Sequence, residues 1–422
     1  MANVAIFHFS GIIKGGQYVT SCYYDGMISS FREEGHNVLH VITSDYLLDP
    51  WNGNNTNVSD VWSQELVKKV MDFKPDLVIS FNNSIVSGIV DALDCPILLW
   101  DADQFDYFSD KDTILKNQDR YVYGAHCTVG LRKFKEAINH NGAKIGRLLP
   151  ATAVKSDFDC KKEFEISFIG SPFFNELDFS LGGFNVRLKA RLDGGEFHRR
   201  CGLVYSLSEE FRLGVFGPHE WMRLAAVDGS FVEAYKGNSV VTLGDNQNVH
   251  NASVLGLNIT HGQGLGHGFS WRVPDIMASS ALMLTNPSKD LFDLAGFVRE
   301  ISFESTSELR EMANKFLGDK VRRSEYVYSC NDLVERRFRW KDRISQISSL
   351  TGVDLTTSNV RGSYYRPVPE TAFVYKLAAE KILNVKNNLP SDFLGVLRSS
   401  KRKILSLMPK QLQHYLKISR GY

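Results

Sequence analysis

The sequence predicts an α/β chain of two doubly wound, Rossmann-like halves facing each other across a cleft, followed by C-terminal helices. Three observations predict it. Short apolar runs alternate with helical patterns from residue 3 to about 150, a second such cycle opens at residue 165, and a glycine-rich stretch separates a run from a helix at residues 261–268. Alternation of this kind with short turns builds parallel sheets whose ligands bind outside the carboxyl ends of the strands. A chain of 422 residues is long enough for two or three cores.

In the first half, residues 3–10 (NVAIFHFS) cluster apolar side chains as a buried strand does. GIIKGG breaks the chain, and residues 18–36 carry a helical pattern. Strands follow at 37–43, 75–82 and 96–100, separated by helical patterns at 63–74 and 85–93. A strand at 121–128 and a helix at 131–142 close a domain spanning 1–150. The second half, 151–348, reads as strands at 165–169, 211–216, 254–260 and 282–285. Ser305 and Glu308 have capping-box spacing before the helix LREMANKFL, and 324–348 is helical in pattern. Residues 172–210 have no clear period and read as an insertion without an assigned role. Residues 349–422 form an extension with helical pieces at 370–386 and 393–408, expected to pack on the first domain or on a membrane surface.

Composition excludes several classes. With 43% apolar residues, 23% charged residues and a net charge of +1, the chain is globular and shows no reason to bind nucleic acid. Its six cysteines (22, 95, 127, 160, 201 and 330) are scattered without CxxC pairing, which points to free thiols in a reducing compartment. No run approaches the ~18–20 apolar residues of a membrane span, and the first residues read as a strand rather than a leader. The expected location is the cytoplasm.

The stretch NITHGQGLGHGFSWRVPDIMASSALMLTNPSKD is the most informative. An apolar run, a glycine loop, a helix and a second run present backbone N–H groups and a helix dipole to a phosphate. Glycine lets that backbone approach an anion, although the same spacing also suits a plain surface loop.

The runs ISFIGS, LGVFGPHEW, LGLNITHG and SWRVPDIMASSALMLTNPSKDLFDL, with the spaced SELREMANKFL, resemble glycosyltransferases of the GT-B fold. They are most similar to the spore-maturation-type, group 1-like bacterial glycosyl transferases. That family's R-x-x-E-A-x-A-C-G pattern stands here as Arg272, Asp275, Ala278 and Ser280. Where the family places two glutamates eight apart, this chain has His267 and Asp275. Membership implies transfer of a sugar from a nucleotide-sugar donor to a glycan or lipid-linked glycan acceptor in surface polysaccharide synthesis, with no metal and no resident cofactor. The second half would hold the donor and the first half the acceptor.

Such chemistry needs the departing phosphate neutralised and an acceptor hydroxyl deprotonated. Arg272, with its planar fork of donors, is the first candidate for the phosphate. His261, Gly264, Gly266, His267 and Ser270 would add donors from the loop, and Asp275 would accept from donor hydroxyls. Gly170 and Ser171 end the first strand of the second half, a place close to donor phosphate or base. Lys14, Gly15 and Gly16 would reach the phosphate from the first domain, or simply turn the chain. Asp101 and Asp103 end a strand facing the cleft and are candidates for general base or for a cap on the next turn; His126 is a weaker base candidate. Asn246–His250 either touches the donor or turns the chain. From residue 396 to 422 there are seven Lys/Arg and no acidic residues, interleaved with apolar ones, as in helices that lie on anionic membranes or dock on a domain. Rival readings are a sugar-nucleotide epimerase on the same scaffold and a non-catalytic glycan-assembly partner. A dehydrogenase is disfavoured because the first strand lacks G-x-G-x-x-G.

Overall fold

The apolar runs and their crossover helices form two parallel sheets in a computed structural model that describes residues 1–9, 12–14, 17–47, 58–61, 63–102, 105, 108, 110–172, 199–225, 229–237, 240–260, 267–367 and 369. The first lobe runs β1 (Asn3–His8), β2 (Ile12–Lys14), β3 (Gln17–Val19), α1 (Cys22–Glu33), β4 (Asn37–Ile42), α2 (Ser63–Phe73), β5 (Leu77–Phe81) and α3 (Ser87–Ala92). It continues through β6 (Ile97–Trp100), α4 (Lys111–Lys116), β7 (Tyr121–Ala125), α5 (Thr128–Ala137) and β8 (Lys144–Arg147). The second lobe holds β9 (Phe164–Ile169), α6 (Arg199–Tyr205), β10 (Leu213–Phe216), α7 (Leu243–Asn251), β11 (Ser253–Asn258), α8 (Arg272–Met277), β12 (Leu282–Thr285), α9 (Lys289–Leu294), α10 (Thr306–Gly318) and α11 (Lys320–Arg337). Helix α12 (Trp340–Thr351) and strand β13 (Tyr364–Tyr365) then return to the first lobe.

The first sheet has the order β13-β4-β1-β5-β6-β7-β8, with every pair parallel. Strand β1 is buried on both faces, which is why it reads as a continuous apolar run rather than an alternation. Ala5 and Phe7 face α2, α3 and α5 through Leu66, Val70, Ile89 and Phe134. Val4 and Ile6 face α1 and α12 through Phe31, Trp340 and Ile347. The second sheet, β10-β9-β11-β12, is also wholly parallel. Ile166, Phe168, Leu255 and Leu284 carry its core, packed against Trp221, Phe316 and Leu333.

Three boundaries differ from expectation. The helix expected over 18–36 begins only at Cys22, because β2 and β3 pair as an antiparallel hairpin. The helix expected over 324–348 is two helices, broken where Phe338 is buried and Arg339 turns extended with ψ 145°. There the chain crosses between lobes: Arg339 Nη1 donates to the Val154 carbonyl at 2.6 Å, and Trp340 meets Trp100 edge-on at 6.1 Å between ring centroids. The junction therefore lies near 338–339 rather than at 348. Finally, the end of the expected insertion is not irregular, since Cys201, Leu203 and Val204 of α6 are core residues. The pieces expected at 370–386 and 393–408 lie outside the described residues. Among the described residues no helix is long and apolar enough to cross a membrane.

Candidate functional site

Aromatic packing joins the lobes beside the carboxyl ends of their strands. Trp271, just before α8, lies 5.1 Å from Trp100, 5.6 Å from Phe81 and 6.4 Å from Tyr23, measured between ring centroids. Close by, the Cys22 backbone N–H donates to the Val241 carbonyl at 2.7 Å. This seam fixes the first turn of α8 against the first lobe. Pro274 is tolerated there because the first turn of a helix requires no backbone N–H from it.

Arg272 opens α8 at this seam. Its Nη2 donates to the Tyr23 hydroxyl across the lobes at 3.3 Å, and its buried Nε has no partner among the described residues. A Cβ on Gly170 would lie 3.5 Å from the same Nη2, so the end of β9 lies directly beside the guanidinium. Arg200, in the first turn of α6, comes to the same place. It donates to the carbonyls of Ser171 (3.1 Å) and Ile259 (2.7 Å) and is 6% exposed. Burial, helped by the charge of Arg272, pushes Arg200 down to about 10. Two cations at the starts of two helices oppose the helix dipoles as well as each other, an arrangement that an anion relieves.

The carboxylate beside them is turned inward. Asp275 is 5% exposed and accepts from Asn246 Nδ2 at 2.7 Å. Burial pushes it up to about 6, against the pull of Thr152, Asn246 and Arg272. The donor-hydroxyl role expected of Asp275 is corrected accordingly: helix α7 covers it, and it supports the site from beneath. Residues 246–250 do not turn the chain but lie in α7, where Asn246 holds Asp275. His250 is buried with both ring nitrogens unpartnered among the described residues; burial and then Arg272 push it down to about 3, so it is neutral.

Asp101 is a correction of the same kind. It is 1% exposed, and its Oδ1 accepts from the backbone N–H of His126 (2.5 Å) and pairs with His126 Nδ1 (2.8 Å). A Cβ on Gly130 would collide with its Oδ2, so the carboxylate rests against the first turn of α5, where the helix dipole favours it. Burial opposes charge on His126, but Asp101 outweighs it and holds the imidazole well above its ordinary value. The pairing ties the end of β6 to the β7–α5 turn and leaves neither side chain exposed as a base.

Two residues beyond His126, the lobes are tied by a carboxylate from the other side. Asp290, fully buried at the start of α9, accepts from the Thr128 N–H (2.8 Å) and hydroxyl (2.6 Å) and ion-pairs with Arg147 at 3.1 Å. Its own N–H donates to the carbonyl of His267 (2.9 Å). The His267 ring is exposed, while Ser270 Oγ donates to Asn258 Oδ1 at 2.8 Å and so anchors the loop to β11. At the end of β1, His8 stacks on Tyr24 at 3.8 Å and meets His40 Nε2 at 2.6 Å; burial and neighbouring cationic groups hold His40 well below its ordinary value.

The structure thus brings together Arg272, Gly170 and Ser171, with Ser270 on the loop just before them. It turns Asp275 and Asp101 inward and leaves the His267 side chain outward. Lys14 ends β2, and Gly15, Gly16, Asp103, His261, Gly264 and Gly266 lie outside the described residues. Sequence reasoning missed Arg200, Tyr23 and Asp290. The signal for Arg200 was available: RRCGLVY places arginines at the start of an apolar helix, where the dipole disfavours them.

Residues 199–349 match the family described as Glycosyl transferase-like. Among solved structures, a glycosyltransferase from Rickettsia africae is similar at 11% identity, TM-score 0.51, covering 83% of this chain and 98% of that one. WaaG, a glycosyltransferase involved in lipopolysaccharide biosynthesis, is similar at 12% identity and TM-score 0.50, covering 83% and 100%. HepE of Anabaena, in complex with UDP and glucose, gives 12%, 0.50, 83% and 99%. The second lobe matches a glycosyltransferase family over residues 199–349, and the chain has the GT-B fold of these solved structures. Its family match begins at Arg199, so α6 and Arg200 belong to this domain and not to an insertion. A search of curated protein sequences found no match.

Proposed function

We propose that the protein transfers a sugar from a nucleotide-sugar donor to a glycan or lipid-linked glycan acceptor at the inner face of a bacterial membrane, in the synthesis of a surface polysaccharide. One observation carries the reading: Arg272 and Arg200 converge at the lobe seam beside Gly170 and Ser171, next to Tyr23 of the opposite lobe. Two guanidiniums with fixed geometry suit a diphosphate, whose negative charge grows as the glycosidic bond to it breaks. In this role they do the work of a metal, so the reaction proceeds without one. The first lobe presents the acceptor. That HepE was solved with UDP and glucose supports a uridine nucleotide as the first donor to try.

The test is calorimetric titration of the full chain with UDP-, GDP-, dTDP- and CMP-sugars. Binding of one diphosphate donor, weakened about tenfold or more in Arg272→Ala and in Arg200→Ala, supports the reading. No binding by any donor sinks it. The burial of Asp101 favours a second reading, a non-catalytic partner that has kept the donor site. Donor binding without turnover on any extracted membrane glycan would select it.

A further inference from the structure

Beyond α12 the chain returns along the β4 edge of the first sheet as a strap, residues 356–367. Backbone bonds lay it down. The Ser358 N–H donates to the Glu34 carbonyl at 2.9 Å, the Gly362 N–H to the Arg32 carbonyl at 2.8 Å, and the Val38 N–H to the Ser363 carbonyl at 3.0 Å. The far end is held by Arg366, 3.3 Å from Asp45, and by the Tyr46 hydroxyl, which donates to the Pro367 carbonyl at 3.0 Å.

A pair of histidines lies beneath this strap. Tyr364 is in parallel register with Val38, so its side chain falls on the same face of the sheet as His40 and His8, the face that α1 covers. There the Tyr364 hydroxyl meets His40 Nδ1 at 2.9 Å, and His40 Nε2 meets His8 Nε2 at 2.6 Å. Both histidines are buried while Tyr364 is 40% exposed, so the tyrosine screens the pair from solvent at the sheet edge. From α1, Tyr24 stacks on His8 and Arg32 lies over the Tyr364 ring at 5.4 Å. Asp25 of the same helix accepts from the Leu243 backbone and acts on Tyr364 by charge. From the strap, the charge of Arg366 opposes protonation of His40, and Asp45 is engaged with that arginine.

Two Nε2 atoms this close need one N–H between them, with one ring donating and the other accepting. Neutral rings meet that condition, and one extra proton is still accommodated through an Nδ1. Two imidazoliums are not: each facing nitrogen then carries an N–H, the bond is lost, and like charges stand together in a buried place. Burial, followed by His8 and Arg366, already holds His40 well below its ordinary value. Lifting the strap admits water to the pair, and both rings then protonate below about pH 6.5. The closed strap is therefore at full strength above that pH and weakens as pH falls through it.

We propose that the His8–His40 pair is an acid-sensitive clasp, whose protonation releases residues 356–367 from β4 and with them the chain leading to the basic stretch 396–422.

The experiment is hydrogen–deuterium exchange of the full chain, read by mass spectrometry at pH 5.5, 6.5 and 7.5 and corrected for intrinsic rates. Opening of the strap rises about tenfold for each proton taken up between pH 7.5 and 5.5, while the amides of β5 and β6 show no such rise. His40→Gln supplies a neutral partner for His8, so the conflict disappears and the rise falls below about threefold; His8→Gln does the same from the other side. Tyr364→Phe, at a partly exposed position, opens the strap about threefold to tenfold more at pH 7.5 and keeps the rise. His36 is also buried near the strap, where its Nδ1 accepts from the Ala2 N–H at 3.3 Å, and His36→Gln keeps the rise as well. The proposal is overturned if opening of the strap is independent of pH, if β5 and β6 open in parallel with it, if the rise survives in folded His40→Gln or His8→Gln, or if His36→Gln abolishes it.

Discussion

Asp275→Asn should make the protein more stable at neutral pH and remove part of its pH dependence. Asp275 is buried beneath Arg272 and pushed up to about 6, from an ordinary carboxylate value of about 3.9. The folded protein therefore holds this proton more tightly than the unfolded chain does. Its contribution to stability is fully present below about pH 4 and is lost as pH rises through 6. At ~1.4 kcal/mol for each tenfold change in acidity, the loss reaches about 3 kcal/mol by pH 7.5. The amide has the same shape, carries no charge to desolvate, and can still accept from Asn246 through its oxygen. Urea unfolding followed by tryptophan fluorescence, repeated from pH 3.5 to 8, reads the difference between the two proteins. The advantage of Asp275→Asn should grow by roughly 3 kcal/mol across that range. Parallel curves, or a substituted protein that loses stability with pH as steeply as the native one, would refute the reasoning.

Asp290→Ala should cost about 3 kcal/mol, the low end for breaking a buried pair, because the Arg147 side chain is 27% exposed and can rehydrate; denaturant titration measures it. The same change frees Thr128 from the second lobe, and small-angle scattering should show the lobes spread apart, whereas an unchanged radius would refute the latch. Ending the chain at residue 395 removes seven Lys/Arg, and co-sedimentation with anionic vesicles should fall steeply and become insensitive to salt; equal binding by both chains rules the tail out as an anchor. Turnover, once a donor is known, should be unaffected by EDTA, and its abolition would show that the arginines do not suffice.

The layout of both sheets was legible because parallel strands buried on two faces are continuous apolar runs, as in LVISF of β5 and LMLT of β12. Arg272 was legible through its place in a motif after a glycine loop. Asp101 shows where such reading fails: an aspartate ending a strand looks alike whether it faces a cleft or caps the next helix, and only His126 and Gly130 decide. Asp275 was misjudged because its burial depends on Asn246, 29 residues earlier, a contact with no local pattern. The hairpin over 12–19 and the two-residue strand β13 are too short to show any period. Arg200 was lost in the stretch 172–210, whose paired glycines among charges hide the start of an ordinary core helix.

The most direct test of the account is a crystal structure of the chain soaked with the nucleotide diphosphate that binds best. Phosphate oxygens within hydrogen-bond distance of both Arg272 and Arg200, in the space beside Gly170 and Tyr23, are the predicted result. A nucleotide seated elsewhere, with both guanidiniums keeping their present protein partners, would contradict it.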